Sequence, residues 1–279
     1  MRNTDEQVDW QRAACQTSRL TVSYWRSGGH KPSLIALHGL FGSVACLLPM
    51  ARALADFDVV LPDARGHGGT SSPVTGCRYT DHARDVVELI ECLKLDRPIL
   101  IGHSMGGMTA ALAASELRSS ARAVVLIDPT FLGAEMQREV YESGVGEEHQ
   151  QLLKWTRDRL ISRAREKSPN RSEEMIRHLV DARLQTSINA CEVLSPPNPD
   201  WREVARAIEV PTLLVTAERG IVSPEMAHEL QGLNLLFRHK HVANIGHGLP
   251  YDVPDRIGKT LTSFLAQVAA FGPGAASTE

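Results

Sequence analysis

Gly102-His103-Ser104-Met105-Gly106 is the stretch of sequence that decides how this chain folds. It follows an apolar run at 98–101 and precedes an alanine-rich run at 108–114 that predicts a helix. A serine between two glycines, placed between a strand and a helix, is typical of a sharp turn that strains the serine backbone. The glycines let the strand and the helix approach closely. We therefore expect the Ser104 hydroxyl to stand exposed at the carboxyl end of a central strand, as a nucleophile.

An earlier loop is a candidate for stabilising negative charge. The apolar residues 34–37 predict a buried strand that runs into His38 and Gly39. Acyl transfer needs N–H donors aimed at the carbonyl oxygen, because that oxygen becomes an anion. We predict that the N–H groups of Leu40 and Met105 are these donors and form an oxyanion hole. For the His38 side chain we favour a structural role.

The polar loop after the predicted strand at 58–61 contains Asp63, Arg65 and His67. These residue types could serve in catalysis. We favour instead a hydrogen-bonded loop that supports the segment 38–40 from behind.

His247 is the candidate general base. It lies between two glycines, after the last predicted strand at 237–242. Serine hydrolases of one large class carry their catalytic residues in the chain order serine, acid, histidine, and His247 stands where that order requires the histidine.

With these segments in this order, the chain resembles the α/β-hydrolase family. The resemblance extends over about residues 18–130 and 205–270 and implies a serine hydrolase mechanism, but it is unspecific about the substrate. The matching motifs are His38-Gly39, Asp63-x-Arg65-Gly66-His67-Gly68, Gly102-His103-Ser104-Met105-Gly106 and Gly246-His247.

The acidic partner of the histidine departs from the common pattern of the family. In most members the acid follows the next-to-last strand, which we predict at 211–216, and the corresponding position here looks like Gly220. Glu218 is close to it, but that family position usually points away from the histidine. Asp128 ends the predicted strand at 123–127, where some members keep the acid. We predict Asp128 as the acid and hold Glu218 as the alternative.

The alternation of strands and helices indicates an α/β fold with a mostly parallel central sheet flanked by helices on both faces. We predict strands at 19–25, 33–37, 58–61, 98–101, 123–127, 211–216 and 237–242. We predict core helices at 43–55, 81–93, 104–117, 224–231 and 254–269.

One segment breaks this alternation. We assign residues 1–130 and 201–279 to the α/β-hydrolase core and residues 131–200 to a helical cap segment, which carries 22 charged residues among its 70. Residues 155–167 contain five Arg or Lys side chains, which could attract an anionic substrate; a solvated helix face is the favoured interpretation. Phe131 and Leu132 follow the predicted acid directly, so we expect them to line a substrate-binding pocket.

Composition restricts the partners. The net charge of −3 with no prominent basic face argues against nucleic acid, and no apolar run approaches the roughly 20 residues of a membrane span. Neither a cluster with metal-ligand spacing nor a phosphate-binding loop is visible, so we expect no metal and no cofactor. The five scattered cysteines and the polar start of the chain favour reduced thiols in a cytoplasmic protein. The oligomeric state stays open.

Three functions are compatible with these residues. The first is a serine hydrolase that cleaves a small carboxylic ester, thioester or lactone through an acyl-enzyme. The second is a cofactor-independent oxygenase or a lyase on the same fold, which would use the His247–Asp128 pair as a base on a small-molecule substrate. The third is a non-catalytic ligand-binding protein.

Overall fold

The computed structural model describes residues 9–270, so expectations for residues 1–8 and for the tail at 271–279 lie outside the described residues. The predicted α/β class with a mostly parallel sheet is confirmed, because one eight-stranded sheet runs through the molecule. The strands are β1 (Gln11–Gln16), β2 (Thr21–Arg26), β3 (Ser33–Leu37), β4 (Asp58–Pro62), β5 (Ile99–His103), β6 (Ala123–Ile127), β7 (Thr212–Arg219) and β8 (Phe237–Gly246).

The strand order is β1-β2-β4-β3-β5-β6-β7-β8, and only the β1–β2 and β2–β4 pairs are antiparallel. The chain passes from β3 to β4 on one side and then returns to β5 on the other side of β3. The carboxyl ends of β3 and β5 therefore lie at a point where the order of the strands reverses. In open α/β sheets ligands bind in the crevice at such a point.

Helices cover both faces of the sheet. Around the sheet and in the segment between β6 and β7 they are α1 (Val44–Ala51), α2 (Tyr79–Cys92), α3 (Met105–Leu117), α4 (Ala134–Glu142), α5 (Val145–Leu152), α6 (Arg157–Lys167), α7 (Glu173–Leu184), α8 (Trp201–Ala207), α9 (Pro224–Leu233), α10 (Leu249–Asp252) and α11 (Pro254–Ala270).

The strands alternate their side chains between two apolar layers. In β6, Val124 and Leu126 belong to the layer that includes residues of α2, α3, α8 and α9, whereas Val125 and Ile127 belong to the layer that includes residues of α1 and α11. Successive side chains of a strand point to opposite faces, so an uninterrupted apolar strand fills both layers at once. Burial on both faces holds the central strands, and with them the residues at their carboxyl ends, in fixed positions.

The cap segment has an apolar cluster of its own. Its members come from α5, α6 and α7 and are Leu152, Leu160, Ile161, Ile176 and Val180. Polar contacts also join it to the core: the Ser187 N–H donates to the Gly66 carbonyl at 2.8 Å, and Arg171 pairs with Asp252 at 2.7 Å. The boundaries of core and cap segment stay predictions.

Two features of the amino-terminal part differ from expectation. Strand β1 was not predicted, because an edge strand with mostly exposed side chains carries little apolar periodicity. The expectation of five reduced cysteines is wrong: Cys15 of β1 and Cys92 of α2 form a disulfide, 77 residues apart in the sequence. That pairing depends on β1 lying beside α2, which the spacing of the cysteines does not reveal.

None of the helices within residues 9–270 is both long and apolar enough to cross a membrane.

Candidate active site

Ser104 occupies the sharp turn between β5 and α3. Its backbone has φ 54° and ψ −120°, a region that side chains rarely adopt and that is costly unless the surroundings enforce it. The surroundings do so through two close approaches. A Cβ on Gly102 would lie 2.0 Å from the Gly106 carbonyl oxygen, and one on Gly106 would lie 2.4 Å from the Leu37 carbonyl oxygen. Both glycines are therefore required for the turn to close.

Three predicted residues form one hydrogen-bonded chain. The Ser104 Oγ lies 2.9 Å from His247 Nε2, and His247 Nδ1 lies 2.6 Å from Asp128 Oδ2. A proton on Nδ1 leaves Nε2 free to accept the hydroxyl proton, so the carboxylate sets the tautomer of the ring. Asp128 is fully buried, whereas the His247 side chain is 37% exposed. The structure thus brings together the predicted nucleophile, base and acid, although they lie up to 143 residues apart in the sequence.

The Asp128 carboxylate accepts hydrogen bonds from backbone N–H groups. Besides the histidine proton it accepts the N–H groups of Ile221 and Val222, at 3.0 Å and 3.1 Å. These two residues directly follow Gly220. A Cβ on Gly220 would lie 2.5 Å from both carboxylate oxygens, so only glycine leaves room for Asp128. The carboxylate reaches from the end of β6 into the space beside the end of β7.

Glu218, the alternative acid, lies elsewhere. It is exposed, and its Oε2 accepts the Asn244 N–H at 2.5 Å. Asn244 has a φ of 62° in the stretch of chain that leads to His247. Glu218 therefore holds the backbone before the histidine rather than the imidazole itself.

The loop after β3 faces Ser104. A Cβ on Gly39 would lie 3.2 Å from the Ser104 Cβ, so Leu40 follows a residue in close contact with the nucleophile. Within residues 9–270, the backbone N–H groups of Leu40 and Met105 donate to no protein acceptor. Met105 is the first residue of α3, and the first N–H groups of a helix have no partner within it. Both predicted oxyanion donors are thus available.

Two buried histidines hold this loop in place from behind. His38 Nε2 accepts the Ala64 N–H at 3.0 Å, and His67 Nε2 accepts the Phe41 N–H at 3.3 Å. Burial lowers the pKa of both imidazoles, which keeps them neutral and able to accept. Phe41 itself has a φ of 64°.

The acidic and basic residues of the loop after β4 are also structural. Asp63 accepts the N–H groups of Val44 and Gly69 at 3.0 Å and 2.9 Å, which ties the start of α1 to this loop. Arg65 is fully buried and forms a two-pronged ion pair with Asp85. These contacts agree with the supporting role that we favoured for the loop.

His103 and Tyr251 form a connection that sequence reasoning missed. His103 Nε2 donates to the His247 carbonyl at 2.8 Å, which leaves Nδ1 to accept from the Tyr251 hydroxyl at 3.2 Å. Burial, reinforced by the neighbouring His247, lowers the pKa of His103 to about 3. The tyrosine hydroxyl also faces the Gly39 backbone. A neutral histidine and a tyrosine therefore link the turn, the base and the loop after β3.

A cavity of about 270 Å³ lies beside the loop after β3, between that loop and the cap segment. Leu40, Phe41 and Tyr251 form its wall on the core side, and residues of α5, α6 and α7 form the other. The space next to the candidate oxyanion donors is therefore bounded by both parts of the chain.

Phe131 and Leu132 do not border this cavity. Phe131 is fully buried and lies parallel to Trp201, with 5.8 Å between the ring centroids. The chain turns back after Asp128, with the Phe131 N–H donating to the Pro129 carbonyl at 2.8 Å. Their role in substrate binding stays a prediction that this geometry does not support.

Comparison with known proteins gives a family and several relatives. A family model described as alpha/beta hydrolase fold matches residues 32–252. A 2-(acetamidomethylene)succinate hydrolase of Mesorhizobium japonicum is 35% identical over 113 residues, which is 40% of this chain and 40% of the relative. A Bacillus subtilis protein provisionally named 2-succinyl-6-hydroxy-2,4-cyclohexadiene-1-carboxylate synthase is 27% identical over 256 residues, covering 85% of this chain and 91% of the relative.

Solved structures share the same architecture. An E-2-(acetamidomethylene)succinate hydrolase superimposes with a TM-score of 0.79 at 22% identity, over 92% of this chain and all of that chain. At this identity the likeness shows the fold and leaves the chemistry to the side chains of the site.

Proposed function

Because this chain belongs to the α/β-hydrolase family, we propose that it is a serine hydrolase that cleaves a small carboxylic ester, thioester or lactone through an acyl-enzyme. One observation carries the proposal: Ser104 Oγ, the His247 ring and the Asp128 carboxylate form a continuous hydrogen-bonded chain. Beside it are the N–H groups of Leu40 and Met105, which have no protein acceptor among residues 9–270. The relatives named as hydrolases support the same class of chemistry.

In the first half of the reaction the Ser104 oxygen attacks the substrate carbonyl carbon while its proton passes to His247 Nε2. Asp128 stabilises the imidazolium that forms, because its carboxylate already accepts the Nδ1 proton. The carbonyl oxygen gains the negative charge and lies within reach of the Leu40 and Met105 N–H groups. When the tetrahedral intermediate collapses, the bond to the leaving group breaks and the imidazolium returns the proton to that group.

In the second half water attacks the acyl-serine. His247 Nε2 takes one proton from the water and then gives it back to the Ser104 oxygen as the acyl–serine bond breaks. A free carboxylic acid leaves, and the enzyme returns to its starting protonation state. The same residues thus serve both half-reactions.

A lyase is the second candidate, because one relative that covers most of the chain is named as a synthase. In that chemistry His247 would remove a proton from the substrate carbon and Ser104 would form no covalent bond. An oxygenase or a ligand-binding protein would likewise need no acyl-enzyme.

The experiment that separates these functions is intact-mass detection of a fluorophosphonate adduct, with Ser104→Ala as the control. We expect one adduct on the wild type and none on the variant, together with a fall of about 10⁴-fold or more in kcat for ester hydrolysis by Ser104→Ala. Absence of an adduct, or full turnover by the variant, would contradict the serine hydrolase and favour the lyase, oxygenase or binding protein.

A further inference from the structure

The cavity beside the loop after β3 is rich in positive charge. Four of its lining side chains are basic, namely Arg163, Lys167, Arg171 and Arg183, and its one acidic lining residue is Glu148. A concave site lined by positive charges attracts anions and raises their local concentration.

Two of these cations are already neutralised by the protein. Arg163 pairs with Glu148 at 2.5 Å, and Arg171 pairs with Asp252 at 2.7 Å. Among the residues that the structure describes, neither Lys167 nor Arg183 has a carboxylate within ion-pair distance.

Arg183 is the more constrained of the two remaining cations. Its guanidinium lies 4.0 Å from the centroid of the Phe41 ring, so its position is set by a cation–π contact. Burial lowers the pKa of Arg183, because the charge loses water and the nearby Glu148 carboxylate offsets only part of that loss. A partly buried charge without an ion pair of its own is unfavourable, and an anion bound beside it would relieve that cost.

The location of Arg183 relates it to the reacting atoms. Phe41, which it contacts, follows Leu40, whose N–H is a candidate oxyanion donor. Leu40 in turn follows Gly39, which contacts Ser104 closely. Arg183, Phe41 and Leu40 therefore line the same cavity, which places the guanidinium and a candidate oxyanion donor around one space.

We propose that this cavity binds a carboxylate carried by the substrate, with the Arg183 guanidinium as its main partner, so that the preferred substrates are small esters, thioesters or lactones that bear a second, ionised carboxyl group. This inference rests on the proposed function, since it places the second group relative to an acyl group on Ser104. A planar guanidinium can hold a carboxylate through two parallel hydrogen bonds, which an ammonium group does not reproduce.

The test compares two esters that differ in one charge. These are 4-nitrophenyl hydrogen glutarate, which carries a free carboxylate, and 4-nitrophenyl methyl glutarate, which does not; the rate without enzyme is subtracted for both. We expect wild-type enzyme to favour the charged ester in kcat/KM. Arg183→Gln should lower kcat/KM for the charged ester by about 10- to 100-fold, mostly through KM, and for the neutral ester by less than about threefold.

The matched control is Arg177→Gln, which removes the same charge from the same helix at an exposed position paired with Glu173. Arg177→Gln should leave the ratio of the kcat/KM values for the two esters unchanged. Arg183→Lys keeps the charge and should recover only part of the preference. A second readout needs no variant: glutarate should inhibit hydrolysis of the neutral ester by the wild type competitively and more strongly than butyrate.

The failures are distinguishable. Equal kcat/KM for the two esters, or an equal loss for both in Arg183→Gln, overturns the carboxylate site while hydrolysis by Ser104 stands. Lack of inhibition by glutarate does the same. Lack of a fluorophosphonate adduct on Ser104 overturns the proposed function and this inference with it.

Discussion

The carboxyl edge of the sheet and the cap segment use charged residues differently. In the core, the Arg65–Asp85 pair is buried, with side-chain exposures of 1% and 10%, and Asp128 is fully buried. In the cap segment, Arg157–Asp181 and Arg165–Glu173 pair at the surface, with exposures between 40% and 50%.

This difference separates two tasks. In the core, the buried Arg65 and Asp128 side chains are hydrogen-bonded and hold a fixed geometry, which a catalytic site needs. Exposed ion pairs contribute little to stability, typically below about 1 kcal/mol, so the cap segment can exchange them at small cost. We therefore expect substitutions at the core edge to change the chemical step, and substitutions in the cap segment to change which substrate is bound.

The largest effect should come from the acid. Asp128→Asn keeps the shape of the side chain but no longer holds the His247 tautomer that leaves Nε2 free to accept, so kcat should fall by about 10⁴-fold. Steady-state kinetics on a neutral aryl ester measure it. Glu218→Gln is the control and should retain activity within about threefold, because Glu218 accepts the Asn244 N–H and the glutamine oxygen can still accept it. If Glu218→Gln were the crippling change, the assignment of the acid would be wrong.

The next-largest effect on kcat should come from filling the space between Gly220 and the Asp128 carboxylate. Gly220→Ala would place a methyl group 2.5 Å from the Asp128 oxygens and push the carboxylate away from His247. We expect kcat to fall by about 10²-fold, since displacements near 1 Å cost that much in a catalytic site. Gly232→Ala is matched to it: no atom lies within 4 Å of the new methyl group, so activity should stay unchanged. Equal activities of the two variants would contradict the crowding argument.

A third comparison sets a core histidine against one of the cap segment. Burial, with the nearby Arg65 charge, lowers the pKa of His82 to about 3. In the unfolded chain the pKa of this histidine is about 6.5. Above that pH His82 is neutral in both the folded and the unfolded chain, so its protonation does not reduce the free energy of unfolding. As the pH falls from about 6.5 towards 3, the unfolded chain binds the proton and the folded chain does not. The free energy of unfolding should therefore decrease by about 1.4 kcal/mol per pH unit.

Urea unfolding between pH 6 and pH 4 measures this loss. His82→Asn should show a shallower dependence of the unfolding free energy on pH than the wild type, by about 1.4 kcal/mol per unit. His178→Asn, at a partly exposed position beside Glu174 in α7, is the control that replaces a histidine outside the core. Identical slopes for His82→Asn and the wild type would rule out His82 as a source of acid sensitivity.

The smallest effect should come from Tyr251, which lies between the two regions. Tyr251→Phe removes the hydroxyl that His103 Nδ1 accepts, and so loosens the hold of His103 on the His247 backbone. The loss of one buried hydrogen bond predicts a fall of about 2- to 10-fold in kcat. The rate must be measured at saturating ester, because Tyr251 also lines the cavity and can change KM. An unchanged kcat would show that the hydrogen bond between Tyr251 and His103 does not contribute to the reaction rate.

Local patterns explain most of what could be predicted. Seven of the eight strands were expected, and five of them, β3 to β7, were recognisable because they are mostly apolar and buried. Ser104 and His247 were visible because each stands in a short glycine-flanked motif after a predicted strand. The edge strand β1 and the link through His103 and Tyr251 were not visible, because they depend on partners distant in the sequence.

Asp128 illustrates which features the sequence indicates and which the tertiary structure decides. The sequence by itself determined the α/β class and pointed to a candidate nucleophile, a candidate base and two candidate acids, because residue order and hydrophobic period are local properties. Only the tertiary structure decided that the Asp128 carboxylate fills the space that Gly220 leaves, that Cys15 reaches Cys92, and that basic residues of the cap segment surround a cavity beside the loop after β3. These are contacts between residues many positions apart, and packing of the whole chain sets them.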